Sequence, residues 1–337
     1  MSKFSLEVLE ECVYPYTVPE NNDPSVILGA TFGEDVALTR VGNDILLSHV
    51  DPIVGAVAGI GWLAMHVACN DIACSGIRPR WAQILLLVPS KNDRQLVKQI
   101  MADAAKAAWE IAVTIIGGHT GYSSGITRPV VAVTAMAPAE KGRIVKTGGA
   151  RPGDDVVITG GAGIEGTSIL AADFADECRR LGLDEGNISA ASTLAGKVSI
   201  VREASILTDN GATAMHDVTR GGIIETCMEI ARLSGVSLEI DAGLVPTRPI
   251  VNRFAEAFSF DPLKMISSGS LVCTIPPEKT EKALGELEKT GTPAAKVGTV
   301  RHGEGLSVVR KGKLFSETGL HCEDDELARM WSIYKES

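Results

Sequence analysis

RPGDDVVITGGAGIEGT, spanning Arg151–Thr167, holds a charged turn, an apolar run and a glycine-rich connection in seventeen residues. Val156–Thr159 predicts a buried strand, and the segment Thr167–Leu181 after the glycines predicts a helix. Strand, glycine loop and helix in that order form the repeating unit of a layered α/β domain. Just upstream, Pro138–Asp155 (PAEKGRIVKTGGARPGDD) concentrates glycine, proline and charge, as an exposed connector does. The domain break falls there, giving expected domains at residues 1–145 and 146–337.

Outward from this unit the same alternation continues. Strands are predicted at Asp44–Val50, Trp81–Val88, Val113–Ile116, Pro129–Ala135, Thr213–His216, Val236–Ile240 and Leu271–Ile275. Helices are predicted at Val57–Cys74, Asp93–Ile111, Ser192–Leu207, Gly222–Leu233, Pro249–Phe258 and Glu278–Lys289. No repeat of solenoid period is present.

Composition narrows the function. The 337 residues carry 32 Lys+Arg against 42 Asp+Glu, a net charge of −10, with no basic run, which argues against nucleic acid or an anionic membrane as partner. The stretch Val54–Cys69 is apolar but broken by glycines and His66, and it is short for a membrane span. The N-terminus carries acids where a signal peptide needs an apolar core. Seven cysteines without a CxxC pair point to reduced thiols and a cytoplasmic setting.

Aspartates stand at or inside apolar segments. Asp35 lies in GEDVAL, Asp51 follows ILLSHV, Asp71 with Asn70 interrupts MHVACNDIACSG, and Asp217 follows ATAMH. Ionised carboxylates in such places are costly unless paired or on a metal. Their recurrence suggests a hard cation such as Mg²⁺. Each also has a plainer reading: a turn residue at Asp35, a helix-end cap at Asp71, an N-cap at Asp217.

Gly161, Gly163 and Gly166 match GxGxxG, but no second strand ending in an acid follows, as a dinucleotide site requires. Thr167 stands where a P-loop needs lysine. What remains is either a set of backbone N–H donors at a helix start, suited to an anion, or a tight strand-to-helix turn. Gly117, Gly118, His119 and Thr120 follow the strand VTII and are expected at its end, where the glycines would let a ligand approach. Neither a zinc-ligand spacing nor a GxSxG motif occurs.

Together these pieces resemble the aminoimidazole-ribonucleotide (AIR) synthase superfamily, which includes thiamine-phosphate kinase, selenophosphate synthetase and the hydrogenase-maturation (HypE) branch. The resemblance runs from about Gly29 to about Pro277. It rests on GEDVAL, SHVDPI, ACNDIACSGIRP, GGHT, RPGDDVVITGGAGIEGT and MHDVTRGG. The run HDVTRGG and the later DPLKMISSG at Asp261–Gly269 are most similar to the HypE branch.

The resemblance implies a two-domain α/β (α+β) fold. Its N-terminal ferredoxin-like domain would close a β-barrel across a homodimer, and an α/β C-terminal domain would pack alongside. It implies ATP with Mg²⁺ in a cleft lined by both domains. Asp35, Asp51, Asp71 and Asp217 would be metal ligands, Asp217 and His119 catalytic residues. Asp35, Asp51, Asn70, Asp71, Gly117, Gly118, Thr120, Gly161, Gly163, Gly166 and Thr167 would face the nucleotide.

The implied activity is ATP-dependent phosphoryl transfer to a substrate oxygen. The partner would be a small molecule or a protein thiol, with other maturation proteins as further partners. The alternatives are a kinase or synthetase of the thiamine-phosphate or selenophosphate type, or a nucleotide-binding protein without turnover. Two departures stand out: His119 replaces the Asp of GGDT, as in the selenophosphate branch, and the chain ends WSIYKES. The HypE branch carries its reacting cysteine at the extreme C-terminus, whereas Cys322 lies 337 − 322 = 15 residues from this end. Cys12 lacks the Gly/Lys surroundings of the selenophosphate nucleophile.

Overall fold

The computed structural model describes residues 4, 6–17, 23–54, 59–139, 144–317 and 325–335. The expected helix start at Val57 and the thiol of Cys322 lie outside them. The chain divides into two compact units, Met1–Ile144 and Val145–Ser337. Both are mixed α/β layers, as the glycine-loop segment predicts.

The N-terminal unit begins with short helices α1 (Leu6–Cys12) and α2 (Tyr14–Thr17). Six strands follow: β1 (Val26–Leu28), β2 (Ala37–Val41), β3 (Asp44–Val54), β4 (Trp81–Val88), β5 (Thr114–Tyr122) and β6 (Val130–Ala139). Helix α3 (Ile60–Cys74) lies between β3 and β4, and α4 (Arg94–Glu110) between β4 and β5. The sheet order is β1-β2-β3-β6-β4-β5, with β4 and β5 parallel and the other neighbours antiparallel.

Along β6 buried and half-buried residues alternate at every step, the period-2 signature of a sheet covered on one face. Helices α3 and α4 supply that cover, α3 resting on β3 and β6. Apolar residues remain on the opposite face: Val50 is 59% exposed, Val54 41% and Leu85 39%.

The C-terminal unit holds β7 (Asp155–Thr159), β8 (Ala214–Asp217), β9 (Ser237–Asp241), β10 (Leu271–Ile275), β11 (Ala294–Arg301), β12 (Gly305–Arg310) and β13 (Lys313–Glu317). Their order is β13-β12-β9-β11-β7-β10-β8. Its helices are α5 (Ile164–Asp173), α6 (Ala175–Arg180), α7 (Glu185–Ser192), α8 (Val201–Asp209), α9 (Gly222–Ser234), α10 (Pro249–Phe258), α11 (Pro277–Glu288) and α12 (Glu326–Lys335). Every residue of β7, β8 and β10 is buried, and β8 carries the polar His216 and Asp217 within that burial. A second core gathers Phe174, Phe254, Phe258 and Met330, with Trp331 and Tyr334 packed against it.

The structure departs from the sequence reading in several elements. The helix expected over Thr167–Leu181 begins at Ile164 and breaks at Phe174, which turns inward at 1% exposure. The polar stretch after Leu181 contains a helix, α7, because the Asp184 carboxylate accepts the Asn187 N–H at 2.7 Å and caps it. Asp51 does not end its strand, since β3 continues to Val54.

Candidate active site

In the N-terminal unit three motifs meet at one imidazole. His49 lies on β3; its Nδ1 contacts the main-chain oxygen of Asp35, in the turn before β2. Its Nε2 lies 3.4 Å from Asp71 Oδ2. Asp71 sits in the last turn of α3 rather than capping it, because Ser75 occupies the C-cap. Asn70 is wholly buried beside it, and Asp71 is 7% exposed. Asp51, two residues along β3, shares the face of His49 by strand alternation. GEDVAL, SHVDPI and ACNDIACSG are therefore brought to one place.

GGHT is not part of that group within the unit. Gly117, Gly118, His119 and Thr120 lie inside β5, not at its end, and all four are exposed. Ladder register aligns Asp51 with Val133, Val133 with Ile84, and Ile84 with Gly118. Three strand spacings thus separate Asp51 from Gly118, roughly 14 Å. Gly118 has a local reason to be glycine: its φ is +146°, and a Cβ would overlap the Ile84 carbonyl oxygen.

In the C-terminal unit Asp217 ends β8, five residues before α9, so it does not N-cap that helix; Gly221 holds the cap position. Asp217 is 0% exposed, and neither carboxylate oxygen receives a hydrogen bond from the described residues. His216 Nδ1 lies 3.4 Å from Oδ1 without the alignment of a hydrogen bond, while its Nε2 is 3.0 Å from Glu229 Oε2.

Two further acids surround Asp217 that the sequence reading did not single out. Glu165, in the first turn of α5, accepts the Ser268 N–H at 3.3 Å. Asp325 caps α12 through Leu327 N–H at 2.8 Å and also accepts Gly221 N–H at 3.0 Å. Burial pushes the Glu165 carboxyl above its ordinary 4.5, opposed by the Ser268 bond and reinforced by Asp325 and Asp217. A sequence signal for Glu165 existed, since an acid inside GGAGIEGT is an ionisable group in an otherwise apolar turn.

A raised carboxyl means the folded state binds that proton more tightly than the unfolded one, so this group's stabilisation fades as pH climbs above 4.5. Glu165→Gln is expected to melt higher than the wild type at about pH 8, with the gain shrinking toward the ordinary carboxylate range. Melts that differ by the same amount at every pH would contradict this.

The glycine loop is a packed turn. Residues 160–167 are all buried. The N–H of Gly160 donates to Pro293, that of Gly161 to Thr159, Ala162 to Pro246, Gly166 to Ile266 and Thr167 to Gly163. Ile164 N–H donates to Ser267 Oγ at 3.0 Å. These N–H groups have partners inside the protein, which favours the tight strand-to-helix turn of the two readings for Gly161, Gly166 and Thr167. The glycines instead admit close neighbours; a Cβ on Gly161 would lie 2.6 Å from the Pro246 oxygen.

A divalent cation fits these acids. The carboxylate of Asp217, buried and without a hydrogen-bond donor, is an electrostatic cost that a hard cation would relieve. Asp71, 3.4 Å from His49 Nε2, is the counterpart in the N-terminal unit. Each unit thus presents a buried aspartate with an imidazole nitrogen at 3.4 Å.

The chain belongs to the AIR synthase related protein family: the N-terminal domain profile matches residues 33–139 and the C-terminal domain profile residues 151–311. The chain is 30% identical over 260 residues to carbamoyl dehydratase HypE of Rhizobium leguminosarum bv. viciae, covering 74% of this chain and 71% of that protein. It is 28% identical over 332 residues to selenide, water dikinase of Citrifermentans bemidjiense, covering 89% and 92%. Among solved structures, hydrogenase maturation protein HypE in complex with ATP superposes with a TM-score of 0.70 at 22% identity, covering 92% of each chain. The HypE-like kinship read from HDVTRGG is borne out, and the structural likeness shows the shared fold.

Proposed function

We propose that this protein is an ATP- and Mg²⁺-dependent enzyme that activates an amide- or carbonyl-type substrate oxygen by phosphoryl transfer. The observation that carries the reading is the buried Asp217 carboxylate without a hydrogen-bond donor, in a chain whose HypE relatives include one crystallised with ATP. Asp35, Asp51, Asp71 and Asp217 would hold the cation, with Asn70 beside them. When bound, Mg²⁺ supplies charge neutralisation on the triphosphate. Burial keeps bulk water from Asp71 and Asp217. Alignment and charge placement of this kind are most of what phosphoryl transfer asks of a protein.

The N-terminal unit supports a homodimer. Its sheet leaves Val50, Val54 and Leu85 uncovered on one face, and a second copy of this face is the partner we assign. On that reading His119 and Thr120, distant from Asp51 within their own unit, serve the site of the other protomer. Cys12, Cys69, Cys178, Cys227 and Cys273 are in no disulfide, which suits the cytoplasm. A protein thiol presented by another maturation protein would be the substrate of the HypE-type reaction.

One observation favours a second reading, a small-molecule kinase or synthetase. Similarity to the selenide, water dikinase extends over 89% of this chain, against 74% for the HypE relative. ADP and AMP formation, measured with and without Mg²⁺ and with thiol, carbamoyl and selenide acceptors, tests both. ADP release that depends on a thiol or carbamoyl acceptor supports the first reading; AMP release with selenide, or ADP release that depends on a small phosphate or hydroxyl acceptor, supports the second. ATP binding without turnover under every condition would leave a nucleotide-binding protein and contradict both.

A further inference from the structure

The function just proposed uses Asp71 but does not explain what aims it, and this inference rests on that reading. Asp71 is in the final turn of α3, a turn whose residues are all buried, so its backbone is fixed while the carboxylate keeps its own two torsions. Its carboxylate therefore needs an external support if it is to meet a cation in one orientation. His49 is placed to give it. The ring has an oxygen at each nitrogen: the Asp35 main-chain oxygen at Nδ1 and Asp71 Oδ2, 3.4 Å away, at Nε2.

Strand β3 carries the ring, and β3 is hydrogen-bonded on both sides, to β2 and β6. The support is thus mounted on an interior strand rather than on a loop. The carbonyl oxygen of Asp35 can only accept, so Nδ1–H donates to it and sets the plane of the ring; in the imidazolium form Nε2–H then faces Asp71 Oδ2 as an ion pair at 3.4 Å. The same contact set joins the GEDVAL turn to the end of α3.

We propose that His49 is a positioning residue: it orients the Asp71 carboxylate toward a divalent cation, as the outer partner of a metal-holding acid. Losing such a partner typically weakens metal affinity about 10- to 100-fold.

The test is Mn²⁺ binding followed by electron paramagnetic resonance, with a non-hydrolysable ATP analogue present, on the full chain and three folded variants. His49→Ala is expected to weaken Mn²⁺ binding at least about tenfold. His49→Gln, whose longer amide reaches toward Asp71, is expected to recover most of that loss. His49→Asn, which reaches only the Asp35 oxygen, is expected to resemble His49→Ala.

If the ring merely staples the Asp35 turn, the order reverses: Asn rescues and Gln does not. That order, or wild-type Mn²⁺ affinity in His49→Ala, overturns the inference while leaving the proposed function standing. Should His49→Ala fail to fold, the Gln and Asn pair still decides. Absence of Mn²⁺ binding to the wild type would instead bring down the proposed function, and this inference with it.

Discussion

Asp71→Asn is expected to lower Mg²⁺-dependent ATP turnover by about 10²-fold or more, while the protein stays folded. The substitution keeps the shape of the side chain and removes only the charge. Asparagine still fits beside the wholly buried Asn70 and still offers an oxygen to the His49 ring. What it cannot do is neutralise a divalent cation, so the loss should fall on turnover and on Mg²⁺ dependence rather than on folding. Asp51→Asn, on the same face as His49, is expected to act in the same direction. Steady-state ADP release across a Mg²⁺ titration measures both, and unchanged turnover in the two variants would remove the metal assignment from the N-terminal unit.

Asp217→Asn is expected to separate stability from function. In the ligand-free protein this carboxylate is fully buried, lacks a hydrogen-bond donor and shares its surroundings with Glu165 and Asp325. Removing its charge should stabilise the C-terminal unit by about 1–2 kcal/mol, since a buried carboxylate without donors is a standing cost. For a unit of this size that corresponds to a melting temperature higher by roughly 2–8 °C. The same change should abolish the stabilisation that Mg²⁺ with nucleotide gives the wild type, and turnover with it. Calorimetry of both proteins with and without Mg²⁺ and an ATP analogue tests the pair of effects. A variant that melts lower than the wild type, yet still responds to Mg²⁺, would show that Asp217 is a structural acid.

The parts of the fold legible in the sequence were those with strong local signals. Trp81–Val88, Leu271–Ile275 and Pro249–Phe258 agree with their elements to the residue, because continuous apolar runs and a Pro start leave little ambiguity. The strands of the hairpin β12–β13 escaped the reading because β13 lacks the period-2 burial signal, its apolar Leu314 and Phe315 being exposed alongside its polar residues. Helix α7 escaped because its serines and asparagine read as a turn until the Asp184 cap is seen.

The site was legible in part for a related reason. An aspartate in an apolar segment is visible from composition alone, and Asp71 and Asp217 are indeed buried. The glycine loop left two readings open because glycine serves equally for approach by a ligand and approach by the chain's own backbone. Only the hydrogen-bond partners distinguish the two. His49 and Glu165 matter through contacts with residues far away in sequence, Asp71 and Ser268, which no local pattern announces.

The most direct measurement is a crystal of the full chain with Mn²⁺ in place of Mg²⁺ and a non-hydrolysable ATP analogue, read by anomalous diffraction. The account predicts manganese bonded to a carboxylate oxygen of Asp71 in the N-terminal unit and manganese bonded to one of Asp217 in the C-terminal unit, with phosphate oxygens completing the coordination. Manganese bound elsewhere, or nucleotide bound with both carboxylates engaged only by protein donors, would contradict it.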